Sequence, residues 1–190
     1  MSDAFIAGLG RARAFLAAIP DAAEKATAAA LNKAATAARD TAVSAVTARY
    51  AVRAGDVREK LTVKPARASD LTATLTARSG SLSLTYFPHT PQVPGTGGRG
   101  KSLLRVEVLR GQQREVEGAF VATIGGKPRI MVRSGGRTAK GNAPIRALSS
   151  VPIGKMLGAE SVREAVEKRA LEKFDEVIDR EIDRALGKAA

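Results

Sequence analysis

The stretch with the most obvious chemical promise is Gly95-Thr96-Gly97-Gly98-Arg99-Gly100-Lys101-Ser102, which matches the phosphate-loop pattern G-x-x-x-x-G-K-[ST] at every letter. That chemistry needs backbone N–H groups and a helix N-terminus gathered round the phosphates, so the loop must leave a buried strand and open a helix. Here Phe87-Pro88-His89-Thr90-Pro91-Gln92-Val93-Pro94 comes before it, which no central strand tolerates. Leu103-Leu104-Arg105-Val106-Glu107-Val108 comes after it and alternates as a strand. No apolar run ending in Asp stands where magnesium would need it. The stretch reads as a flexible basic loop.

Other catalytic sets fare no better. His89 is the single histidine and sits in a Pro-rich loop, where it reads as solvated, because metal and acid–base sites need partners. Ser149-Ser150 has no histidine to activate it. The acids between Glu160 and Asp183 lie on a regular helix among basic neighbours, as surface pairs do. The absence of cysteine removes disulfides, zinc ribbons and thiol chemistry together. No catalytic residue, metal ligand or cofactor site is expected, and the chain does not read as an enzyme.

Two sets of residues point instead to binding. The first is cationic: Arg99, Lys101, Lys127, Arg129, Arg133, Arg137 and Lys140, in a 190-residue chain whose formal net charge is +12. Such charge attracts polyanions, either nucleic acid or the acidic surface of a protein, and does not choose between them. The second is the segment from 144 to 157, with Pro144, Ile145, Leu148, Val151, Pro152, Met156 and Leu157 as its contact candidates. It is too apolar for a solvated loop and too interrupted by Pro and Gly for a long helix. It packs either on its own core or on a neighbouring subunit.

These residues need elements to position them. Residues 2–19 predict a short helix, with Phe5, Leu9, Ala12, Leu16 and Ile19 at helical spacing. Pro20 interrupts it, Asp21 and Glu24 form a capping pair, and a second, alanine-rich helix should run to about Val52. Its face of Leu31, Ala35, Ala38, Ala42, Val46 and Tyr50 suits packing within the chain or between subunits. Asp56 can cap a single turn through Lys60-Leu61. Leu71 to Ala77 and Leu82 to Phe87 alternate on either side of Ser79-Gly80, which predicts a hairpin. Residues 88–101 form a Pro/Gly loop. Strands follow at 103–109, 115–124 and 128–133, with Gly125-Gly126 as a turn. Ser161-Val162-Arg163-Glu164 predicts a capping box opening a helix over 160–187, whose stripe runs through Val166, Ala170, Phe174, Val177, Ile178, Ile182 and Ala185. The fold class is therefore α+β: long N-terminal alanine-rich helices, an antiparallel sheet of about five strands, and a C-terminal amphipathic helix. The division expected is a helical arm over 1–54 and an α+β domain over 55–190.

Apolar residues make up 44% of the chain and aromatics only 4%, so little area is buried per residue and the fold gains from assembly. No run of about 18 apolar residues predicts a membrane span, and the N-terminus has no secretory signal pattern.

The order of the pieces resembles the minor tail protein Z family of tailed bacteriophages, also called tail-completion proteins. Three places carry the resemblance. One is ALNKAATAARDTAVSAVTARYAVRAGDVREKLTV, with Tyr50, Asp56-Val57-Arg58 and Leu61. Another is Gly118-Ala119-Phe120 with its return strand. The last is Pro144-Ile145-Arg146-Ala147-Leu148 through Val151-Pro152 and Met156-Leu157 into the charged terminal helix. The resemblance implies a virion structural protein at the head-proximal end of the tail or the neck, assembled in the host cytoplasm. It implies a ring around the DNA channel, hexameric by analogy with other neck proteins. Its partners would be copies of itself, tail terminator, tail tube or neck and connector proteins, and DNA bound non-specifically. The reading that competes is a basic nucleic-acid-binding protein without sequence preference, although the chain lacks the aromatic platforms of single-strand binders.

Overall fold

The computed structural model describes residues 20–78, 80–91, 103–135 and 144–186. The predicted helix over 2–19 and the glycine loop lie outside them, as do Arg99, Lys101, Arg137 and Lys140. The architecture is α+β. Two long helices, α1 (Pro20–Arg49) and the C-terminal helix described below, accompany small antiparallel sheets. Pro20 stands first in α1, where its missing N–H leaves no helical hydrogen bond unmade. The chain divides into two compact units.

The first unit gathers the described residues within 1–45, 58–78 and 157–190. Its helices are α1 and α4 (Glu160–Leu186), and its sheet pairs β1 (Leu61–Lys64) with β2 (Thr74–Ala77). The packing is small against large. Ala30 and Ala34 of α1 meet Phe174, Val177 and Ile178 of α4, with Leu31 and Ile182 at the margin. Alanines on one helix leave room for the bulky side chains of the other, so the space fills without strain. Ala30 and Ala34 lie beside the predicted face, and of that face Ala35, Ala38, Ala42, Val46 and Tyr50 are also buried. Asn32 clamps the loop after β1, donating from Nδ2 to the Ala66 carbonyl at 3.0 Å and accepting from the Ala66 N–H at 2.7 Å.

The second unit comprises 46–57 and 79–156. It holds the end of α1, then α2 (Ala54–Glu59) up to Val57, and a 3-10 turn at Leu84–Tyr86. One sheet orders β3 (His89–Thr90), β4 (Leu104–Leu109) and β5 (Gln112–Val116). The other orders β6 (Ala119–Ile124), β7 (Lys127–Arg133) and β8 (Ile145–Ala147). The short helix α3 (Ile153–Leu157) closes the unit. Phe87, Leu104, Val121, Ile130, Ile153 and Met156 are among its most deeply buried large side chains. The end of α1 is tied to the first sheet. Ala51 donates its N–H to the Val108 carbonyl at 3.0 Å, and Arg110 reaches the Thr47 carbonyl with Nε and Nη2 at 3.0 and 2.8 Å. A guanidinium at a helix C-terminus satisfies a carbonyl the helix itself cannot pair.

Four sequence expectations need correction. The sheet is not one of about five strands: eight short strands form three sheets among the described residues. Residues 74–77 pair with 61–64, not with 82–87, which turns as a 3-10 segment. The apolar residues there, Leu82, Leu84 and Phe87, are buried at a spacing no strand provides, and the Ser83 side chain accepts from the Thr85 N–H, competing with extended pairing. The strand expected over 115–124 is broken at Glu117–Gly118, where Gly118 takes φ +66, a conformation that glycine adopts without a Cβ clash. Finally α4 begins at Glu160, with the Ala159 carbonyl accepting from Val162 and Arg163, so Ser161 lies inside the first turn instead of capping it.

Candidate functional site

The β6–β7 hairpin is built by Gly125-Gly126, both at positive φ (60° and 75°), the geometry a tight two-residue turn demands. Register then decides what stands beside what. Phe120 faces Met131 and Ala147 across the sheet, Ala122 faces Arg129, Ile124 faces Lys127, and Arg133 faces Ile145. By strand alternation these rows share one face, on which Met131 at the centre is buried, while Ala119, Val121 and Ile130 point the other way into the core. The outer face therefore brings Lys127, Arg129 and Arg133 together with Ile145. These came from two separate candidate sets in the sequence. Arg133 lies over the Phe120 ring, 5.4 Å from its centroid, in cation–π contact. The cations of this face stand on β7 itself and not in a loop.

Charge sharpens the picture. From 118 to 159 the chain carries no Asp or Glu and seven Lys or Arg. Among the described residues no carboxylate pairs with Lys127, Arg129 or Arg133, and all three are exposed. Other arginines have structural work: Arg105 pairs with Glu115 at 2.7 Å, and Arg110 holds the end of α1. Nothing in the sequence separates these arginines from Arg129 and Arg133, because pairing across strands is invisible without register.

The apolar candidates separate. Ile145 and Val151 are exposed (44% and 43%), as is Pro144, while Leu148, Pro152 and Leu157 are half-buried. Met156 has no solvent-accessible surface. Leu148 is held by its backbone, donating to the Ile130 carbonyl at 2.8 Å and accepting from the Leu84 N–H at 3.3 Å.

The glycine loop joins β3 to β4, which are antiparallel neighbours. Strand, not helix, follows it, so the phosphate-loop context is absent. His89 hydrogen-bonds through Nδ1 to the nearby Phe87 carbonyl at 2.8 Å. Among the described residues no cluster of three or more His, Asp or Glu could hold a metal, and no helix is long and apolar enough to cross a membrane.

Residues 6–189 match the family described as prophage minor tail protein Z (GPZ). The chain belongs to that family. It is a phage minor tail protein, a structural component of the tail, and so part of the virion. No curated protein and no solved structure gives a significant match.

One feature of this tail protein was missed in the sequence. Glu181 is only 6% exposed and accepts from Lys33 of α1 and from Arg184 at 3.2 Å. The Lys33 hydrogen bond holds its carboxyl below the usual range, although burial works against this. Glu181 lies three residues beyond Ile178 and seven beyond Phe174, on the apolar stripe, and that spacing was the available signal. The neighbouring Glu176 is a surface case: Lys173 and Arg169 hold its carboxyl down at about 2.

Proposed function

We propose that this minor tail protein is a tail-completion or neck subunit at the head-proximal end of the tail, one of a ring around the channel through which DNA passes. The observation carrying the reading is the face of the second sheet on which Lys127, Arg129 and Arg133 meet no carboxylate among the described residues and Ile124 and Ile145 are exposed at its two ends. A phosphate backbone needs only the cations, whereas a protein neighbour uses both. The low aromatic content agrees with a subunit that gains stability by assembly. Partners of this kind are copies of itself and the tail terminator, tail tube or connector proteins, with channel DNA touched without sequence preference.

The test is an image of intact particles carrying a tagged chain. Density at the head–tail junction is expected, and label along the tube or at the distal tip would overturn the placement. The second reading, a free nucleic-acid binder, is favoured by the +12 charge. It requires tight binding of duplex DNA whose affinity falls steeply with salt, by about 0.9 in log–log slope per phosphate contact. The tail-completion reading expects weak binding.

A further inference from the structure

We propose that the outer face of the β6–β7–β8 sheet docks helix α4 of a second copy of this chain. The inference rests on the assembly reading above and names the surfaces involved. The receiving face presents Lys127, Arg129 and Arg133 along β7, with exposed Ile124 opposite Lys127 on β6 and exposed Ile145 opposite Arg133 on β8, while Met131 between the two arginines is buried. Its stretch of chain contains no carboxylate, so the complement must come from elsewhere.

Helix α4 carries that complement. It holds nine Asp or Glu against six Lys or Arg, in a chain whose total is +12. Most of its charges are already paired along the helix, as Arg169 with Glu176 and Lys173 with Glu176. Asp175, Asp179 and Asp183 are different. They are exposed, spaced four residues apart on one side, and make no ion pair among the described residues. Leu171, one turn before Asp175, is also exposed. The helix therefore offers three free carboxylates in a row with an apolar side chain at one end.

Dimensions agree. Four residues of strand separate Arg129 from Arg133, about 13 Å. Eight residues of helix separate Asp175 from Asp183, about 12 Å. With Asp175 set at Arg129, Leu171 one turn earlier falls level with Lys127 and so beside Ile124, while Ile145 lies at the Arg133 end. The two surfaces are different patches of one chain, so the contact is head-to-tail, and repeated head-to-tail contacts close into a ring when the rotation permits. A DNA backbone would satisfy the cations but would leave Ile124 and Ile145 exposed.

The experiment measures the mass of the full chain in solution by analytical ultracentrifugation at low salt. The wild type should assemble, and the variants R129E/R133E and D175K/D179K should each associate at least about a hundredfold more weakly, since like charges then oppose each other. An equimolar mixture of the two should assemble again, because each reversed face meets its reversed counterpart. The rescue also shows that both variants fold. A monomeric wild type, an assembly indifferent to either reversal, or a mixture that fails to assemble overturns the contact. So does loss of DNA binding by R129E/R133E with its mass unchanged, which would make the face a nucleic-acid surface. Failure here is separable from failure of the placement. Particles with the chain at the head–tail junction but no charge-swap rescue keep the position and lose this contact. Rescue with the label elsewhere does the reverse.

Discussion

Replacing Lys33 with alanine tests how α1 and α4 hold together. Glu181 is nearly sealed, while the Lys33 side chain is 46% exposed and Arg184 also reaches the carboxylate. Stripping the partner from a fully buried pair costs about 3–5 kcal/mol. Here water reaches one partner and the other remains, so the expected loss is about 1–2 kcal/mol. Amide exchange along α4 reads the first unit by itself, and that loss corresponds to roughly five- to thirtyfold faster exchange. The pH dependence has a definite sign. The folded carboxyl lies below its unfolded value, so its contribution is complete above about pH 4.3 and is lost as pH falls through the depressed value. The Lys33→Ala penalty should therefore be largest near neutrality and shrink below about pH 4. Replacing both partners together, Lys33→Met with Glu181→Leu, should cost less than Lys33→Ala alone, since no charge is then left buried. Unchanged exchange at neutral pH, or a penalty just as large in acid, would refute the reasoning.

Other perturbations follow from the same geometry. Asn32→Ala removes both hydrogen bonds to Ala66 and should expose that amide to exchange at a cost of about 1–2 kcal/mol, with the β1–β2 pairing retained; protection of Ala66 that survives would mean the clamp is incidental. Gly125→Val forces a branched side chain to positive φ and should lower stability in thermal melts by about 1–2 kcal/mol, whereas Gly125→Asn should be mild; equal effects would disprove the turn geometry.

Where local pattern suffices, the sequence determined the structure. The four-residue spacing of alanines made α1, the stripe through Phe174, Val177 and Ile178 made α4, and Gly125-Gly126 between two alternating runs made the β6–β7 hairpin. The family was also legible, because its signature lies in the order of such pieces. The refusal of the phosphate loop came from its flanks, since residues 103–109 alternate as a strand. What only the tertiary structure decided involves partners distant in sequence. Residues 74–77 were expected beside 82–87 and pair instead with 61–64, since periodicity says which side of a strand is apolar but not which strand lies beside it. Lys33 and Glu181 meet across 148 positions. Arg105 and Arg110 are spent on Glu115 and Thr47 while Arg129 and Arg133 meet no carboxylate among the described residues, a distinction set by register. Ile145 joins those cations only because β8 pairs with β7 at Arg133. A side chain's periodicity is written in its near neighbours, but its partner is chosen by how the whole chain closes.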